Sequence, residues 1–211
     1  MASTQLERSL ERLERALRDY GAPIGRAFRP GLDPDVVSEA LRAEGLAPHD
    51  DVIAWFGWHD GADVAPPHCN DNGDVIRYGG EAVLVGPWSV FELRRALGDR
   101  REALDAQAAD IARFGTGAAS FAAGWLPLAT SDGAGELCID TTAAGPAPLW
   151  IHDPETQDGR TSPQFTSLLD LAEALVEVLD RRLVVPHPHD DRAATVDYPR
   201  LPPDLRRLCS W

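Results

Sequence analysis

Lysine is absent from this sequence of 211 residues, and all 20 of its basic side chains are arginines. This excludes catalysis through a Schiff-base lysine or a lysine nucleophile. It also excludes a Walker-type phosphate loop, because that loop carries a lysine directly after its glycines. The glycine-rich stretch 132–135 precedes a predicted strand, whereas nucleotide-binding loops open a helix. We therefore interpret it as a turn and predict no cofactor.

Long apolar runs are also absent. No stretch reaches the roughly 18–20 apolar residues that a membrane-spanning helix needs. The first 20 residues are charged throughout, and they lack the apolar segment of a signal peptide. The sequence therefore predicts a cytoplasmic protein.

Cysteine is scarce. The three cysteines, Cys69, Cys138 and Cys209, stand far apart, and no two of them form a C-x-x-C pair. An odd count at this spacing indicates neither a disulfide framework nor a cysteine-rich zinc site. We expect reduced thiols, with Cys138 buried in a strand.

Acidic side chains are in excess, at 34 against 20 basic ones, which gives a formal net charge of −14. A nucleic-acid binder needs a basic face for the phosphates, and anionic lipid also repels negative charge. We therefore expect contact with neither nucleic acid nor membrane. The same charge speeds encounter with a basic protein, although it also serves plain solubility.

The hydrophobic pattern predicts helices in the first half of the chain. Leucines recur at helical spacing from Leu6 to Leu17, which fits packing against the domain or a dimer. Asp33 and Pro34 are typical of a helix start, and a further helix is predicted over 48–58. Ser89 is interpreted as the cap of another helix, with helical character that continues over 102–114 after a break near Gly98.

Strands are predicted from the alternating patterns at 125–129, 136–141 and 148–152, with shorter ones at 74–78 and 82–85. A closing helix is predicted over 167–180. Short consecutive strands joined by tight turns favour an antiparallel sheet, so the class is α+β. The tail from Val184 is predicted to be a partly ordered strap that docks through Tyr198, Leu205, Leu208 and Trp211.

Several motifs follow in a fixed order. The helix 48–58 has a leading proline and runs into His59-Asp60-Gly61. An aromatic-apolar-proline strand at 125–129 precedes the glycine-rich turn and a strand that ends at Asp140. A strand with an apolar-Trp-apolar-His-Asp pattern then covers 149–153, before the closing helix.

In this order the motifs resemble those of the SUKH superfamily, the Smi/Knr-type domains, in which an asparagine is frequent at the position of Asp60. The resemblance implies a curved, mainly antiparallel sheet of about six strands surrounded by helices. The resemblance covers roughly Pro48 to Asp180. We predict an amphipathic helix at 1–22, a SUKH-like domain at 23–182 and an extension rich in Pro, His and Asp at 183–211. The resemblance further implies a protein-binding role without catalysis, either as an immunity protein that neutralises a toxin, often a nuclease, or as a regulator or scaffold.

Carboxylates around Trp58 are the predicted partner-binding residues. In the immunity version they face a basic groove of the toxin domain, and Trp58 adds apolar anchoring. The predicted set is Trp58, Asp60, Asp63, Asp71, Asp74 and Asp153.

A different class of function stays open at this point. His152, His187 and His189 with nearby aspartates could form a metal site or a small metal-dependent hydrolase. His152 is expected to be accessible, because Ile151 beside it should face the core. We interpret Asp140 and Asp153, at two strand ends, as partners of backbone donors in the adjoining turns.

Overall fold

The computed structural model describes residues 2–22, 24–63, 68–69, 75–77, 84, 88–114, 121–130, 135–153, 162–187 and 190–208. These residues form an α+β fold, which confirms the predicted class. The helices are α1 (Ala2–Tyr20), α2 (Ile24–Ala27), α3 (Pro34–Ala43), α4 (Asp50–Trp58), α5 (Leu93–Phe114) and α6 (Leu168–Asp180). The strands are β1 (His68–Cys69), β2 (Val75–Arg77), β3 (Ser89–Val90), β4 (Trp125–Thr130), β5 (Glu136–Asp140), β6 (Leu149–His152), β7 (Val184–His187) and β8 (Asp190–Val196).

The main sheet is antiparallel, with the strand order β3-β4-β5-β6. In the described ranges the other strands form two separate pairs, β1 with β2 and β7 with β8. A single sheet of about six strands is therefore not confirmed. The strand predicted at 74–78 corresponds to β2, and apart from Leu84 the one predicted at 82–85 lies outside the described residues.

One face of the sheet builds the core because apolar residues alternate along β4, β5 and β6. The register brings Leu126 opposite Ile139 and Leu137 opposite Ile151, and all four are buried. Cys138 is buried in β5, as predicted, and burial raises the pKa of its thiol well above the ordinary value. A buried thiol of this kind is a poor nucleophile.

The leucine stripe of α1 packs inside the domain. Leu6, Leu10, Leu13 and Leu17 are fully buried in the same core as the sheet, and α1 lies against α6 and α4. Of the two readings that the spacing allowed, the structure shows intramolecular packing.

The helix predicted in this stretch is present, but the prediction that Ser89 caps it and that it breaks near Gly98 is wrong. Ser89 lies in β3, and the pairing continues past it because the N–H of Phe91 donates to the carbonyl of Leu128. The helix begins only at Leu93 and then runs through Gly98 without interruption. A serine before an apolar run suits a cap and an edge strand equally well, and strand pairing decides between them here.

The C-terminal extension folds onto the core through β7, β8 and two short 3-10 helices, Tyr198–Arg200 and Pro203–Leu208. Leu205 and Leu208 are buried, as expected, and Arg207 makes two hydrogen bonds to Asp170 on α6. The prediction that Tyr198 docks is wrong, because that residue is 53% exposed. Trp211 lies outside the described residues. Within the part of the chain that is described, no helix has the length and apolar character needed to cross a bilayer.

Candidate partner-binding surface

An aromatic cluster surrounds the end of α4. The ring of Phe28 stacks on His59, with centroids 4.2 Å apart and planes 5° apart. Trp58 packs at a tilt against Phe28 at 4.9 Å and against Trp55 at 5.5 Å. Phe28, Trp58 and His59 all keep part of their surface exposed. Together with Trp55, Gly61 and Val90 they line a narrow depression whose walls expose almost no surface and which cannot hold a water molecule.

Glu14 on α1 fixes the two polar rings of this cluster. The indole N–H of Trp58 donates to Oε2 of Glu14 at 3.3 Å. Nδ1 of His59 lies 2.8 Å from the carbonyl oxygen of Arg29, so Nδ1 carries the donated proton. Nε2 of the same ring is 3.4 Å from Oε2 of Glu14. The ring positions are thus set by contacts from α1 and from the chain after α2.

Asp60 has a structural contact. Its Oδ1 accepts the main-chain N–H of Leu93 at 2.8 Å, which supplies an acceptor for the first turn of α5. Gly61 makes this approach possible, because a Cβ there would lie 3.0 Å from the backbone nitrogen of Glu92. Gly61 has a positive φ of 72°, but it does not end α4, because that helix ends at Trp58 and the next residue, His59, is extended.

Among the described members of the predicted set, Asp63 is the most open, with a side chain that is 84% exposed. Its Oδ1 lies 3.2 Å from Nε of Arg29. Arg29 also pairs through Nη1 with Glu92, which in turn lies 3.7 Å from Arg94. Carboxylates and arginines therefore alternate along the rim of the depression. We call Phe28, Trp55, Trp58, His59, Gly61 and Val90 with the rim residues Glu14, Arg29, Asp63 and Glu92 the Trp58 surface.

Of the other predicted carboxylates, Asp153 is not brought to this surface. Asp71 and Asp74 lie outside the described residues. Asp153 follows β6 at one edge of the sheet, whereas Val90, at the Trp58 surface, belongs to β3 at the opposite edge. Three strand spacings separate the two edges, about 14 Å.

The expectation that His152 is accessible is wrong. The residue is 8% exposed, because the ring of Phe121 packs edge-on against it at 5.0 Å. Its Nδ1 faces Oε2 of Glu136, the residue directly opposite on β5, at 3.4 Å. Glu136 also acts on Asp99 of α5. Partial burial is the main cause that raises the pKa of Asp99, repulsion from Glu136 adds to the increase, and Arg95 opposes it.

Asp140 serves a turn, in agreement with the structural interpretation. Its Oδ1 accepts from the N–H of Thr142 at 2.9 Å and from the hydroxyl of the same residue at 2.6 Å. His187 lies in β7, its side chain is outside the described part, and His189 is outside it entirely. No three His, Cys, Asp or Glu side chains within the described ranges are placed to hold a metal ion. The metal-site hypothesis for the histidine-rich tail stays a prediction.

Sequence reasoning missed Glu14, Phe28 and Arg29. Glu14 has the i,i+4 pairing with Arg18 that is common on any exposed helix. Its contact with Trp58 spans 44 residues of sequence, and no local pattern signals it. Phe28 lies just after the short helix α2, with no periodic neighbours.

No protein-family model matches this chain, and no curated protein matches it.

Proposed function

We propose that this chain is a non-enzymatic binding module of the SUKH type that recognises a basic protein through the Trp58 surface. The proposal includes the curved sheet of about six strands that the family resemblance implies. In its most specific form the partner is a toxin domain, such as a nuclease, that the module neutralises in the cytoplasm. A regulator or scaffold that binds a cellular protein is the second form.

The observation that carries the proposal is the exposed carboxylate of Asp63 beside a partly exposed aromatic cluster. From residue 49 to residue 63 the chain has four carboxylates and no arginine; Asp51 is buried, so Asp50, Asp60 and Asp63 remain at the surface, and Arg29 pairs with Asp63. Negative charge at a surface steers a basic partner and raises the association rate. A rigid indole at the centre supplies the desolvated contact that slows dissociation.

The state of the polar groups also favours binding over catalysis. His59, Asp60 and His152 are the described groups closest in type to acid–base catalysts. Their polar atoms are used or covered within the protein: Nδ1 of His59 faces the carbonyl of Arg29 and its Nε2 is buried, Oδ1 of Asp60 accepts from Leu93, and the buried His152 faces Glu136. A catalytic base instead has to reach a substrate proton.

The test measures association with proteins encoded beside this gene. Each purified candidate is mixed with the wild-type chain, and any that binds is followed by stopped-flow fluorescence. For such a partner we expect Trp58→Ala to raise the dissociation constant about 30-fold, the effect of losing a hot spot of about 2 kcal/mol. We expect Asp63→Asn to slow association at low salt and to have little effect at high salt, because screening removes steering.

Asp110→Asn on α5 is the matched control, since it removes one exposed carboxylate away from the Trp58 surface. It should lower the association rate less than Asp63→Asn does. A demonstrated partner whose binding is unchanged by Trp58→Ala and Asp63→Asn would contradict the proposed surface. Turnover of a small molecule that disappears on His152→Ala would contradict the non-enzymatic assignment.

A further inference from the structure

We propose that a proton held between His59 and Glu14 fixes the Trp58 surface, and that this surface changes when a rise in pH removes the proton. The inference rests on the proposed function for its consequence, which is control of partner binding by pH. The device itself consists of three side chains, Glu14, Trp58 and His59, and it can be observed without a partner.

The contacts of the His59 ring require a particular protonation state. Nδ1 lies 2.8 Å from the carbonyl oxygen of Arg29, which only accepts, so Nδ1 carries a proton and Nε2 of a neutral ring is a bare acceptor. Nε2 is buried and has no hydrogen-bond partner among the described residues. The atom that faces it at 3.4 Å is Oε2 of Glu14, another acceptor. A neutral ring therefore sets two lone pairs against each other away from solvent, which costs free energy.

A second proton on the ring removes this conflict. The Nε2–H of an imidazolium can donate to Oε2 of Glu14, and opposite charges on the two groups strengthen such a bond. The other oxygen of Glu14, Oε1, pairs with Arg18 one turn further along α1. This positive charge favours the ionised carboxylate, so the shared proton belongs to the ring and not to Glu14.

The protonation of His59 reaches Trp58 through one oxygen atom. Oε2 of Glu14, which faces Nε2 of His59, also accepts the indole N–H of Trp58 at 3.3 Å. The His59 ring is held in this position, because it stacks on Phe28 with centroids 4.2 Å and planes 5° apart. When the attraction between Glu14 and His59 changes, the hydrogen bond to Trp58 has to change with it.

The other charged groups around His59 have contacts of their own. The guanidinium of Arg29 is turned to Asp63 and to Glu92, on the chain before α5. The carboxylate of Asp60 accepts from the first turn of α5. Among the described residues, the carboxylate on α1 is thus the charged group that faces Nε2.

The direction of the effect follows from the charges. While the ring is an imidazolium, it attracts Glu14, and Glu14 holds the indole of Trp58. As the pH rises and the ring loses its proton, the two acceptors repel each other and the bond to Trp58 weakens. The stabilisation from this pair is therefore present at low pH and lost as the pH rises. Histidine is the side chain suited to such a change, because it ordinarily exchanges its proton at roughly pH 5–8.

The experiment follows the full ¹⁵N-labelled chain by NMR from about pH 5 to about pH 9, a range that brackets histidine titration. Two-bond ¹H–¹⁵N correlations report both ring nitrogens of each histidine, and the indole N–H signals report the six tryptophans. The signals of Trp58 and His59 are assigned by their loss in Trp58→Phe and His59→Phe.

We expect both ring nitrogens of His59 to carry protons at the acid end, and the Trp58 signal to move with the same midpoint as this ring. Glu14→Gln keeps an oxygen for the indole and offers an N–H to a neutral Nε2, so the Trp58 signal should lose its pH dependence. Glu11→Gln, which changes an exposed carboxylate on the same helix, is the matched control and should titrate as the wild type does.

His59→Phe is a second variant that does not depend on Glu14→Gln being folded. Its ring can stack on Phe28 but has no nitrogen to titrate, so the Trp58 signal should again be independent of pH. The inference is overturned by a wild-type Trp58 signal that ignores pH or has a different midpoint from His59. A Trp58 shift that persists unchanged in Glu14→Gln or in His59→Phe would overturn it as well.

The proposed function fails separately. If the Trp58 signal follows His59 but no protein binds in a way that depends on Trp58, the proton device stands and the proposed function falls. If a partner binds through Trp58 while the Trp58 signal stays constant with pH, the function stands and this inference falls. With both in place, the affinity of the partner should depend on pH in the wild type and lose that dependence in Glu14→Gln.

Discussion

The side chain of Asp60 accepts the backbone N–H of Leu93 at 2.8 Å, across 33 residues of sequence. The contact joins the end of α4 to the start of α5. Both aspartate and asparagine can supply such an oxygen to a helix start.

Asp60→Ala should therefore lower the free energy of unfolding by about 1–2 kcal/mol, the usual cost of a lost helix cap. Asp60→Asn should cost less, because its amide oxygen still accepts the N–H of Leu93. Urea denaturation of the three proteins measures the difference. Equal losses in the two variants would show that charge, not the hydrogen bond, matters at this position.

Gly31 lies against the end of α4 with no room for a side chain. A Cβ on Gly31 would stand 1.8 Å from the carbonyl oxygen of Gly57, so the backbone would have to move. We expect Gly31→Ala to destabilise the fold by more than about 2 kcal/mol, as backbone incompatibility does. The same change should disturb the adjoining Trp58, which the indole N–H signal of that residue reports.

Gly98→Ala is the matched control for Gly31→Ala. Gly98 lies inside α5, and a Cβ there meets no atom within 4 Å. Because alanine favours a helix interior over glycine, this change should stabilise the protein by about 0.5–1 kcal/mol. Chemical denaturation measures both changes in the free energy of unfolding, which should have opposite signs. A loss of stability in Gly98→Ala would contradict an uninterrupted α5.

The lowered pKa of Asp170 predicts that the protein loses stability in acid. Partial burial alone would raise its pKa, but hydrogen bonds from Thr166 and Arg207 and the charge of Arg207 outweigh burial, so the pKa lies below the ordinary 3.8. The ionised form thus stabilises the folded state above pH 3.8, and this contribution is lost as the pH falls through the lowered pKa. Asp170→Asn should be less stable than wild type at pH 6, and the gap should close below pH 3.8.

Unfolding of both proteins by urea between pH 7 and pH 2.5 measures this gap. Glu173→Gln, an exposed carboxylate on the same helix, is the control and should track the wild type at every pH. A constant gap between Asp170→Asn and the wild type down to the lowest pH would contradict the assigned cause.

The raised pKa of Asp99 predicts the opposite dependence of stability on pH. Partial burial raises the pKa of Asp99 above 3.8. Arg95 lowers this pKa, and repulsion from Glu136 cancels part of that decrease. The folded state therefore favours the protonated form, and stability is lost as the pH rises through the raised pKa. Asp99→Asn removes this penalty, so the variant should be more stable than wild type at pH 7 and equal to it below pH 3.8. A variant less stable than wild type at pH 7 would show that the Arg95 pair outweighs burial.

The sequence predicts those parts of the fold whose signals are local. Asp33 caps α3 through the N–H of Asp35, as the Asp-Pro pair indicates, and alternation places Leu137 and Ile139 on the core face. The accessibility of His152 could not be predicted, because Phe121, which covers it, lies 31 residues away and on no shared element.

The candidate site was only partly predictable for the same reason. Trp58, Asp60 and Asp63 are close in sequence and stay close in space, but Asp60 binds Leu93 while Asp63 faces solvent. Local patterns do not distinguish these roles, since both residues follow the same helix. Glu14 enters the surface only because the buried leucines beside it fix α1 against α4.

The packing of α1 on α6 can form only after most of the chain has been synthesised. Arg12 binds Asp180 at 2.6 Å and the hydroxyl of Tyr20 binds the carbonyl of Val184, across 168 and 164 residues. At roughly 5–20 residues per second, a ribosome needs on the order of ten to thirty seconds to deliver the second partner after the first. During that interval the four leucines of α1 lack α6 as a partner, which makes them a natural target for a chaperone that holds newly made polypeptide.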